Sequence, residues 1–199
     1  MSARSMLPVA LVVALAGPPA VAQEDLPLYV GTEVCASCHG GRAMGDQLSR
    51  WMLSGHADAW ADLTASGAEA MAEMSGEPRP PRESAICLGC HTTAADAEPW
   101  RRAATFDPTD GVQCELCHGA GSDHVDAARG LGGADPRDAG LMTPTLDDCR
   151  GCHYDKGSHT SVHGRPPLDL EAAWARLAHP LPEEASAASP PRPAAGTAA

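Results

Sequence analysis

The sequence predicts a compact, mainly α-helical single unit with long loops, filled by something other than its own aromatic side chains. Three observations predict it. Among 199 residues there are 20 Gly and 18 Pro but only 4 Trp, 2 Tyr and 1 Phe, so large core side chains are scarce. Helical apolar stripes alternate with Gly- and Pro-rich breaks, and none of the stripes is long. All eight cysteines fall into four copies of one short pattern, with none left over. The formal charge of -12 and the single Lys, Lys156, leave no basic stripe for nucleic acid and favour repulsion from anionic lipid.

The elements follow in chain order. Arg4, the apolar run Leu7 to Ala16 and the small residues Ala20-Val21-Ala22 have the form of an export signal over 1–22. The run is far short of the roughly 20 residues a spanning helix needs, so no membrane span is expected after cleavage and the product is expected to be soluble and exported. Residues 23–180 form the expected folded unit. Met44, Leu48 and Trp51 lie on one face of a helix expected between Gly40 and Ala57, with Met44 in the core, and Ala-rich helix continues from Trp60 to Met74. The Pro-rich stretch 77–82 breaks it. Asp110-Gly111 reads as a turn, 130–140 as a flexible stretch, and Thr145 to Asp148 as a helix N-cap. Asp169 opens a short helix with Leu170, Trp174 and Leu177 on one face, closed by Pro180. The Ala- and Pro-rich tail 181–199 is expected to be disordered.

The repeated pattern is Cys35-Ala-Ser-Cys38-His39, Cys87-Leu-Gly-Cys90-His91, Cys114-Glu-Leu-Cys117-His118 and Cys149-Arg-Gly-Cys152-His153. Cys-x-x-Cys-His is the attachment site of c-type haem: one helical turn sets two thiols beneath the porphyrin vinyl groups and places the next His under the iron. A disulfide framework explains an even number of cysteines but not the His that follows each pair, and zinc sites do not require four identical blocks. Four covalently attached haem c groups are therefore expected, with His39, His91, His118 and His153 as proximal ligands. They would also supply the apolar surface that the aromatic residues cannot. Export agrees, because thiols outside the cytosol otherwise oxidise.

Five histidines remain, His56, His124, His159, His163 and His179, for at most four distal positions. Met52, Met71, Met74 and Met142 are further candidates, and a Met ligand would raise the reduction potential.

Gly31 to His39, Trp51-Met52-Leu53-Ser54-Gly55-His56, Gly111 to His124 and the ending Trp174 to His179-Pro180 resemble the multihaem cytochromes grouped around the tetrahaem cytochrome c of nitrification, the electron acceptor of hydroxylamine oxidoreductase. The resemblance runs from about Tyr29 to Pro180. It implies distal roles for His56, His124 and His179, each serving a haem other than the one nearest in sequence, and leaves the pairing open. It also implies, by analogy, an open distal position at the second motif, Cys87, Cys90 and His91. This sequence departs from that pattern through His159 and His163, either of which can close the site.

Two functions follow. The first is a periplasmic tetrahaem electron carrier working through transient complexes, its acidic surface suited to partners with a basic docking patch. The alternative is a small reductase of nitric oxide, nitrite or hydroxylamine at one five-coordinate haem, which needs an open iron and acid–base groups beside it. No catalytic block is recognisable in the sequence, and axial saturation separates the two readings.

Overall fold

A chain with few aromatic residues and many Gly and Pro builds short helices, and the computed structural model, which describes residues 26–164 and 166–179, contains ten of them among those residues. They are α1 (Thr32–His39), α2 (Gln47–Met52), α3 (Ala59–Asp62), α4 (Ala68–Met74), α5 (Ala85–His91), α6 (Cys114–His118), α7 (Ser122–Ala128), α8 (Leu146–Cys149), α9 (Gly157–His163) and α10 (Leu170–Leu177). Five 3-10 turns lie between them, and the extended pairing in the described residues is one parallel bridge, Tyr29 to Arg102. The expected signal segment and the tail lie outside the described residues.

Two expected helices are shorter than their apolar stripes. The one between Gly40 and Ala57 is reduced to a 3-10 turn and α2, because Gly45 (φ 93°) and Asp46 (φ 55°) are left-handed and an α-helix cannot run through them. Met44 is half-buried rather than a core residue. The Ala-rich run from Trp60 to Met74 splits into α3 and α4 at Gly67 (φ 100°). At α8 Thr145 and Asp148 form a reciprocal capping box, and at α10 the Asp169 carboxylate accepts from the Ala172 amide, so both sequence-predicted starts are found.

The buried apolar residues are small: Ala59, Ala68, Ala72, Ala94 and Ala127, with Val30, Leu63, Phe106 and Val112. Polar side chains fill much of the remaining interior. Gln113, about 1% exposed, accepts from the Thr32 amide (2.9 Å) and donates to the Asp107 carbonyl (2.7 Å), while its own amide donates to Thr93 Oγ1 (2.7 Å). Glu115 accepts from the Val30, Gly31 and Gly121 amides, each at 2.8 Å. These bonds clamp α6 to the chain entering α1, and such buried polar groups are tolerated because they are fully paired.

Candidate haem-binding site

The first three motifs are helical throughout, in α1, α5 and α6, as one turn of helix per motif requires. In the fourth, α8 ends at Cys149, but the His153 amide still donates to the Cys149 carbonyl (2.9 Å) and continues the turn. Thiols of different motifs lie together. Cys35 meets Cys114, Cys90 meets Cys152, and Cys149 lies near enough to Cys117 to act on it. The attachment sites are thus neighbours in the order first, third, fourth, second. Contact with Cys114 and burial push the Cys35 thiol up, while burial and then Cys90 push Cys152 up to about 11.

Each proximal histidine faces one other imidazole. The ring centres are 6.0 Å apart for His39 and His124, 5.8 Å for His56 and His153, 6.4 Å for His91 and His159, and 5.9 Å for His118 and His179. A metal held at about 2 Å from each of two imidazole nitrogens, each nitrogen being about 1 Å from its ring centre, requires a separation of about 6 Å. Among the described residues His163 faces none of the four proximal rings. It lies exposed at the end of α9, one turn beyond His159. Met52, Met74 and Met142 are exposed, and none of the four gaps needs a Met to fill it.

The backbone orients these rings. His91 Nδ1–H donates to the Ala59 carbonyl (2.7 Å), His118 Nδ1–H to Met142 (2.9 Å) and His124 Nδ1–H to Pro136 (2.8 Å). His39 Nδ1–H donates to Gln47 Oε1. A carbonyl oxygen can only accept, so in these rings the proton sits on Nδ1 and the Nε2 lone pair is free for a metal. Burial is the largest cause lowering the pKa values of His39, His56, His153 and His159, which favours the neutral, ligating form.

Positioning of the distal rings uses contacts that the sequence did not show. The Val112 amide donates to the His56 carbonyl (3.0 Å), and a Cβ on Gly111 would stand 2.7 Å from that same oxygen, so the left-handed glycine (φ 73°) lets two chain segments meet behind His56. Trp51 Nε1–H donates to the Val112 carbonyl (2.7 Å) on the same seam. Arg50 donates to the Ala178 carbonyl at the end of α10 and so fixes the chain beside His179. Pro136, the acceptor for His124, belongs to a 3-10 turn inside the stretch expected to be flexible. Carbonyl acceptors of this kind leave no trace in residue type, whereas Gly111 was visible as half of a turn pair.

The residues fit haem c. Large apolar side chains beside the motifs face outward, with Ile86 next to Cys87 at 59% exposed, Tyr154 next to His153 at 59% and Leu53 near His56 at 89%, a surface suited to an apolar macrocycle. Among the described residues no three His, Cys, Asp or Glu converge on one point as a structural zinc site needs.

Residues 34–119 match the family of cytochrome c554 and c-prime. No curated protein and no solved structure matches the chain. The match supports a multihaem c-type cytochrome with covalently bound haem, an electron carrier. It contains three of the four motifs and His56, whereas the fourth motif, His124, His159 and His179 lie beyond it. Among the described residues no helix is long and apolar enough to cross a membrane.

Proposed function

We propose that the chain is a periplasmic tetrahaem cytochrome that passes electrons between redox proteins, with every iron held by two histidines. The observation that carries this reading is the set of four imidazole pairs at 5.8–6.4 Å. Bound there, haem c supplies a one-electron ferric/ferrous couple. Cys35 and Cys38, Cys87 and Cys90, Cys114 and Cys117, and Cys149 and Cys152 attach the four groups. His39, His91, His118 and His153 are the proximal ligands, and His124, His159, His179 and His56 respectively the distal ones.

Paired imidazoles leave no sixth position for a substrate, which favours the carrier over the nitrogen-oxide reductase. His159 is the decisive residue, since it faces His91 at the motif for which the resemblance implies an open iron. The acidic chain, at a formal charge of -12, suits brief complexes with basic partners whose association slows as salt rises. Residues 1–22 direct export.

An electron paramagnetic resonance spectrum of the oxidised protein, with haem quantified, tests the proposal. Four haems per chain, all low-spin, are expected. One high-spin haem per chain would return the reductase to first place, with nitric oxide as the ligand to try.

A further inference from the structure

We propose that Glu115 is a fixed negative charge that lowers the reduction potentials of the two haem groups attached at the first and third motifs. The inference rests on the four-haem reading above. Glu115 lies between Cys114 and Cys117 and is 3% exposed. Its carboxylate reaches out of the third motif to the backbone of Val30 and Gly31, immediately before the helix that carries Cys35, Cys38 and His39. It therefore sits at the junction of two attachment helices.

Both oxygens only accept hydrogen bonds, from the Val30, Gly31 and Gly121 amides, which is how an ionised carboxylate is satisfied. No ion pair to it forms among the described residues. The charge is thus solvated by peptide dipoles and not cancelled by a cation. In an interior of low effective dielectric such a charge acts over a longer range than at the surface.

A negative charge favours ferric over ferrous iron, because reduction removes one positive charge from its neighbourhood, and the effect lowers the potential. The position is particular to the third motif. Its counterparts after the first cysteine are Ala36, Leu88 and Arg150, none of them acidic. With the same ligand pair proposed at every iron, ligand type cannot separate the four potentials, which leaves nearby charge, burial and hydrogen bonding, and Glu115 supplies the first at two of the four sites.

The test is a spectroelectrochemical titration of the full-length haem-loaded protein and of two variants, with haem counted first. Glu115→Gln removes the charge at constant size and is expected to raise two of the four potentials, each by about a tenfold change in the reduced-to-oxidised ratio at fixed potential, about 59 mV for one electron. Glu115→Asp keeps the charge but loses reach, so it is expected to melt earlier with potentials close to wild type. Four haems with unmoved potentials in Glu115→Gln, or a shift in Glu115→Asp as large as in Glu115→Gln, would overturn the proposal. A wild-type count below four fails the four-haem reading instead.

An amide at 115 opposes at least one backbone N–H, and Glu115→Gln can therefore fail to accumulate. The wild-type titration, followed by paramagnetic resonance and assigned with His124→Met and His179→Met, then decides. The first and third haems are expected to be reduced at lower potentials than the second and fourth, and the reverse order overturns the assignment.

Discussion

The junction of α1 and α6 and the segment 145–164 each carry haem attachment, yet they are built in opposite ways. At the junction Gln113, Glu115, Thr32 and Thr93 are all buried and joined by hydrogen bonds that link segments far apart in sequence. In 145–164 no described residue is buried. That segment is held mostly by local bonds, among them the Thr145–Asp148 capping box, the Asp147–Arg150 ion pair and the Thr160 to Asp155 hydrogen bond, with the exposed Ser75–Ser158 bond and the packing of α9 on α4 and of α8 on α10 tying it to the rest. Exposed local bonds of this type contribute little stability. The first region adds buried hydrogen bonds between distant segments to whatever its cofactors supply, whereas the second relies on its cofactors for a core.

Removing attachment in the weaker region should break the contrast most visibly. Cys149→Ala with Cys152→Ala is expected to lose one haem and to make 145–164 the preferred site of limited proteolysis, with the junction still protected. Cleavage spreading evenly through 26–120 would mean the two regions are one cooperative unit. The matching change at the junction, Cys114→Ala with Cys117→Ala, is expected to lose one haem and the fold together.

Truncating the clamp comes next. Glu115→Ala leaves the Val30, Gly31 and Gly121 amides without their acceptor and is expected to cost on the order of 3 kcal/mol in urea unfolding. An effect within a few tenths of wild type would show that water replaces the carboxylate and that the junction is softer than described.

His159→Ala acts within the weak region and should convert one iron of four to high spin, open to nitric oxide, with haem count unchanged. His163→Ala should leave the spectrum as it was, since that ring faces no proximal partner. High spin in the second variant alone would exchange the two residues.

The smallest effect is one of acidity. Arg79 first, and then Ser84, holds the Glu77 carboxyl down to about 2, against an ordinary 4.5. Stability from this contact is present above pH 4.5 and is lost as pH falls from there towards 2. Glu77→Gln should flatten that part of the melting-temperature profile, and an unchanged profile would remove Glu77 from the acid response.

The sequence displayed the four motifs, the five spare histidines and the helix starts at Thr145 and Asp169, because each is a matter of residue type at fixed local spacing. It did not display the breaks at Gly45, Asp46 and Gly67, where left-handed backbone overrides a good apolar stripe. Glu115 was only a letter between two cysteines, and its three amide partners come from chain segments that local periodicity does not join. Nor does spacing pair histidines across loops: His159 and His163 stand equally well placed until α9 is packed on α4. Residues 1–22 and 181–199, read as signal and tail, are outside the described residues.

The four imidazole pairs have a common direction along the chain. His39, His56, His91 and His118 all precede Gly119, and their partners His124, His153, His159 and His179 all follow it. Every pair joins an earlier half to a later one, and neither half holds both members of any pair. As the chain is made from its amino end, three motifs emerge before any residue that faces them, and so their coordination closes late and over long loops, the slow kind of contact. A fragment ending near Gly119 would have attachment sites but no completed axial pair, and its haems would stay open to whatever small ligand reached them first.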